Sequence, residues 1–156
     1  MQNIRRVTEA FMEQTQSTTD LLQFLKTIHT QKDLDQYLSS HTTDELSFSV
    51  YFNEYLGSKH LNITDVIERS GLENHYAYQI INGTKKRPGR LKIIALCIGA
   101  SMNLKETQRC LKLTKNASLY PKDTGDAIII THINNEQFNI QQINEELWSH
   151  NLEVIK

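Results

Sequence analysis

Leu61-Asn-Ile-Thr-Asp-Val-Ile-Glu-Arg-Ser-Gly-Leu-Glu-Asn-His-Tyr-Ala-Tyr-Gln-Ile-Ile-Asn-Gly83, continued by Thr84-Lys-Lys-Arg-Pro-Gly-Arg90, sets the architecture of this chain. Apolar residues recur three and four apart on both sides of Ser70-Gly71-Leu72, which predicts two short helices around a tight turn. Glycine enters a turn of positive φ without steric penalty. Asn82-Gly83 ends the second helix, and Lys85, Lys86, Arg87 and Arg90 make the following loop basic. Helix, glycine turn, helix and basic loop together form the helix-turn-helix layout.

Charge supports a function for that loop. From Asn74 to Lys115 the chain carries nine lysines or arginines and a single acid, Glu106. The remainder carries eight bases and 17 acids. The net charge of −1 therefore hides a segment of +8 against a remainder of −9. A concentrated basic footprint is what a phosphate-binding face needs; its bland counterpart is a solvated, salt-bridged helical surface.

The flanks read as helices too. Prolines occur only at positions 88 and 121. Residues 1–40 predict two or three helices, one capped by Thr18 or Thr19 with an apolar stripe of Leu21, Leu22, Phe24, Leu25 and Ile28. A short helix with Leu34, Tyr37 and Leu38 follows, and Ser39 to Glu45 is the expected linker. Phe48, Tyr51, Phe52, Tyr55 and Leu56 define a helix stopped by Gly57. Pro88 is expected to open a helix with Leu91, Ile94, Ala95 and Ile98 on one face. Asn103 and Glu106 have capping-box spacing at the start of another. Ala127 to Thr131 is β-branched and reads locally as a strand; Pro121 and the helical surroundings favour a helix from about Pro121 to Asn134. Asn139 caps a last helix with Ile140, Ile143, Leu147 and Trp148 on one face. The expected organisation is an N-terminal helical extension (1–45), a helix-turn-helix domain (46–116) and a C-terminal helical extension (117–156) that packs on the core or pairs with a partner.

The order of small, apolar and polar positions over roughly residues 48–114 resembles the phage-repressor-like (XRE/Cro) family. That resemblance implies an all-α, lambda-repressor-like five-helix domain, here with extra flanking helices. It also implies a second helix aimed at the DNA major groove. Val66, Leu72, Ala77 and Ile80 fall where the two helices need apolar side chains. Three positions depart from the family pattern. Ile67 replaces the usual alanine, Ala77 replaces the usual valine or isoleucine, and Ile63 replaces a glutamine that braces the reading helix. Thr64 offers a substitute hydroxyl. With Ala77, Ile80 and Ile81 turned inward, the outward face carries Asn74, His75, Tyr78, Gln79 and Asn82. Asn74 and Gln79 can bond an adenine edge bidentately. His75 and Tyr78 can reach phosphate or a thymine methyl, and Asn82 resembles the family's phosphate-contacting asparagine. Lys85, Lys86, Arg87 and Arg90 would extend the phosphate contacts, which position but do not specify. Glu73 would repel phosphate if it pointed outward.

The expected partners are double-stranded DNA and a second copy of the chain, with a protein partner for the flanking helices as a further option. The rival reading keeps the fold but makes it a protein-binding module: an adaptor, an antitoxin-like partner or an inhibitor of a host or defence complex. Ile63, Glu73, Tyr76 and Tyr78 favour that rival. Enzyme constellations are not found: the six histidines lack metal-ligand spacing, and no phosphate-binding glycine loop or nucleophile elbow occurs. No cofactor or metal is expected. Hydrophobic residues make up 38% of the chain, mean hydropathy is −0.49, and no apolar run approaches a membrane span. With no apolar leader after Met1 and two cysteines in apolar contexts, a soluble cytoplasmic protein with buried thiols is expected.

Overall fold

The computed structural model describes residues 18–41 and 47–156. Among them every regular element is a helix and none is a strand, so the chain is all-α. It divides into two compact units, residues 1–45 and 46–156.

In the first unit, α1 spans Thr18–Leu25 and α2 spans Gln31–His41. The Thr30 hydroxyl accepts from the Asp33 backbone N–H at 3.1 Å, closing the first turn of α2. Phe24 stacks on the buried Tyr37 with ring centroids 5.9 Å apart. Thr18 is already helical, Ser39–His41 belong to α2, and the rest of the expected linker lies outside the described residues. So does any further helix before Thr18.

The second unit holds α3 (Phe48–Ser58), α4 (Ile63–Ser70), α5 (Asn74–Ile81), α6 (Arg90–Gly99), α7 (Leu104–Leu113), α8 (Thr124–Asn134) and α9 (Ile140–Ser149). Most of their starts are encoded locally. Ser47, Asn62, Glu73, Asn103, Asp123 and Asn139 each place a side-chain oxygen on an orphan N–H of the helix they precede. Asn103 and Glu106 complete a reciprocal capping box.

Packing centres on α6, whose residues Ile93 to Gly99 are all buried. A helix apolar on every side belongs in the middle of a core. α4 crosses α6 at Gly99, where a Cβ would meet the Val66 carbonyl oxygen at 2.5 Å. Phe52, Ile67, Ile80, Ile81, Met102, Leu111, Ile143 and Leu147 complete a core of almost zero exposure. α8 and α9 contribute to that same core, so residues 117–156 pack within the second unit. Cys97 and Cys110 are buried free thiols, and burial pushes the Cys97 thiol well above its ordinary range.

Four local expectations are corrected. Gly57 lies inside the last turn of α3, and His60 takes the left-handed conformation at φ 53°. Pro88 precedes α6, whose N-cap is Gly89. Pro121 sits in the turn before Asp123, which caps α8. Trp148 does not pack inward; it is 75% exposed, because the inward face of α9 is filled by Ile143 and Leu147. The β-branched run at 127–131 is helical, since burial of Ile128, Ile129 and Ile133 on one face outweighs local strand preference. Among the described residues no helix is long and apolar enough to cross a membrane.

Candidate nucleic-acid interface

The turn between α4 and α5 closes through Gly71 at φ 71°, with Leu72 buried beneath it. Ala77, Ile80 and Ile81 anchor the inner face of α5 in the core. Asn74, His75 and Tyr78 are thereby left exposed and Gln79 half-exposed on the outer face. The side chain of Gln79 lies 3.1 Å from the His75 ring, one turn away, so the pair is preorganised. The Thr64 hydroxyl lies 3.4 Å from that of Tyr78, which ties the start of α4 to the outer face of α5.

Two α3 side chains hold the other end of α5. Ser49 Oγ donates to the Ile81 carbonyl at 2.7 Å, and Asn53 Nδ2 donates to the same oxygen at 3.0 Å. They satisfy a carbonyl that a helix C-terminus leaves orphaned. Sequence reasoning missed both, since Ser and Asn four residues apart on a helix carry no signal of their target. Gly83 at φ 84° passes close to Ser49, where a Cβ would lie 3.3 Å from the Ser49 Cβ, tighter than ordinary van der Waals contact.

The basic loop follows directly. Asn82 Oδ1 accepts from the Thr84 N–H at 2.9 Å, and the Lys85 N–H donates to the Gln79 carbonyl at 2.9 Å. Asn82, itself exposed, therefore shapes the loop with its side-chain carbonyl oxygen. Lys85, Lys86 and Arg87 are exposed. The Lys85 and Lys92 ammonium groups sit 5.5 and 5.4 Å from the centre of the Tyr76 ring, so this half-buried tyrosine gathers two cations beside the outer face.

Arg90 does not join this surface. Its guanidinium turns onto α8 and makes a bidentate pair with Asp126, at 2.9 and 2.7 Å, plus bonds to the Ala117 and Ser118 carbonyls. With four of its five N–H groups engaged by Asp126 and the two carbonyls, it acts as a structural clamp between α6 and α8. The sequence placed it in the loop by adjacency; its partner lies 36 residues away.

Glu73 does not point away from the helix either. Its carboxylate accepts from the His75 and Tyr76 N–H groups at 2.9 and 2.8 Å. The bond from Tyr76, then that from His75, lowers its pKa below the ordinary carboxylate value. The basic footprint itself divides in two. Lys105, Arg109 and Lys112 line a separate cleft of about 630 Å³ with Tyr51. Ser49 and Asn53 leave α3 on the side of α5, and Tyr51 leaves it toward α7. Comparison with protein-family models, curated proteins and solved structures finds no match for this chain.

Proposed function

We propose that this chain is a sequence-specific DNA-binding transcription regulator, a repressor or autoregulator of lambda-repressor-like helix-turn-helix architecture acting in the cytoplasm as a homodimer. The observation that carries the reading is the outer face of α5. Asn74, His75, Tyr78 and Gln79 stand together on a helix whose other side is locked into the core, and an exposed cationic loop follows at once. A rigid helix with amide side chains outward can read adenine edges in the major groove, while the loop lysines neutralise phosphate. Thr64 and Tyr78 brace that face, and Asn82, Lys85, Lys86 and Arg87 extend it along one strand. Two such helices, one per subunit, would read half-sites about one helical turn apart.

Glu73 favours a second reading. Its carboxylate takes N–H groups at the start of α5 that a DNA phosphate would otherwise accept from, and it adds negative charge there. A protein-binding module with the same fold, such as an adaptor, antitoxin-like partner or inhibitor, tolerates this more easily.

Fluorescence anisotropy on duplexes from upstream of the chain's own gene, against scrambled duplexes over a salt series, separates the two. Tight, fragment-selective binding with a steep salt dependence supports the regulator. Weak binding that ignores sequence supports the protein module, as does a partner that stays bound after charge reversal of Lys85 and Lys86.

A further inference from the structure

Outside the α5 surface, the most conspicuous feature is the ridge of α9. Trp148 stands 75% exposed on it, beside an open groove of about 750 Å³. Phe138, Ile140 and Val154 line the groove, each packed on the core by one side only. Gly71, the turn between α4 and α5, forms its far edge, and a Cβ there would touch Ile140 at 3.9 Å. The charged side chains at the groove are of both signs: Glu68 and Arg69 from α4, Glu145 from α9.

We propose that this groove pairs with the same groove on a second copy of the chain, about a two-fold axis. The proposal rests on the regulator reading for its purpose, since two half-sites need two copies, and deepens it by assigning the surface. A two-fold interface is isologous, so one patch must supply both halves of every contact. This patch does so. A projecting indole and an open, largely apolar groove lie next to each other. Arg69 and Glu145 both line the hollow, so each copy can set its Arg69 against the other's Glu145. Tryptophan and arginine are the residues that most often dominate interface energetics. Pairing here would also fix each α5 to the axis through the Gly71 edge, holding the two reading helices at one separation.

Trp148 is the only tryptophan in the chain, so its fluorescence reports on this groove alone. The test is sedimentation equilibrium of the full chain over a dilution series, with tryptophan emission and acrylamide quenching measured on the same samples. A monomer–dimer equilibrium is expected, with emission moving to shorter wavelength and quenching falling along the same curve. Trp148→Ala should raise the dimer dissociation constant about thirtyfold or more, the scale of an interface hot spot. Arg69→Glu should weaken the dimer, and Arg69→Glu with Glu145→Arg should recover it. A chain that stays monomeric with a fully quenchable tryptophan overturns the proposal. So does a dimer indifferent to Trp148→Ala; failure of the double variant to recover overturns the charge pairing. Anisotropy on a single half-site keeps this separate from the regulator reading. Loss of the dimer with half-site binding intact removes only the interface. An intact dimer without DNA binding removes only the regulator.

Discussion

Single side chains carry the distinction between reading and gripping. Under the proposed DNA-reading role, Gln79→Ala should weaken binding to the best duplex by about 1–3 kcal/mol and relax specificity, because that role gives Gln79 a bidentate amide contact to a base. Lys86→Ala should weaken all duplexes alike and reduce the salt slope by about one unit. Anisotropy on matched and scrambled duplexes checks both; equal loss on every sequence for Gln79→Ala would count against base reading. Glu73 adds a pH signature. Its folded-state pKa is lowered by the Tyr76 and His75 N–H groups. Its cap is therefore fully stabilising above the ordinary carboxylate pKa and is lost as pH falls through the lowered folded value. Amide protection at the start of α5, measured against the intrinsic exchange rate at each pH, should fall in acid for the wild type and change little with pH in Glu73→Ala. Tyr55 behaves oppositely. Burial raises its phenol to about 12, and its hydroxyl donates to the Ala100 carbonyl at 3.0 Å. That stability is complete below the ordinary tyrosine pKa and is lost as pH rises through about 12. Tyr55→Phe should accordingly lose about 1 kcal/mol at neutral pH, where the hydrogen bond is missing, and should lack the wild type's decline in stability as pH rises from the ordinary tyrosine pKa through about 12.

Elements are placed by close backbone contact as much as by apolar stripes. At Gly99 the obstruction to a side chain is the Val66 carbonyl and the Ser70 backbone nitrogen of α4, not a flexible side chain that could move aside. Gly99→Ala should therefore destabilise by about 1–3 kcal/mol despite the better helix propensity of alanine, which urea denaturation would measure. The helix starts at Asn103 and Asn139 were legible in the sequence because those caps act within three residues of themselves; the equally local caps Asn62 and Asp123 went unread. The misplaced positions, Gly57 and Pro88, failed for a related reason. A stop or start residue signals that a boundary is near, and packing decides which residue takes it.

Across the whole second unit, the Arg90–Asp126 clamp joins α6 to α8, and the Asp126 carboxylate also accepts from the Tyr120 N–H at 2.9 Å. Asp126→Ala should destabilise by about 3 kcal/mol, since it leaves a largely covered guanidinium without its partner. Arg90→Ala should lower thermal stability and leave the salt slope of DNA binding unchanged, in contrast to Lys86→Ala. The sequence by itself determined the helical class, the caps at Asn103 and Asn139, the tight turn at Gly71 and the outward face of α5, because each depends on residues within one or two turns of each other. Only the tertiary structure decided that Arg90 faces Asp126, that Ser49 and Asn53 hold Ile81, that Lys105, Arg109 and Lys112 line a cleft with Tyr51 separate from the basic loop, and that Trp148 stands outside the core. Those are pairings between residues 28 or more apart or choices among competing faces of one helix, and local spacing carries no information about which partner wins.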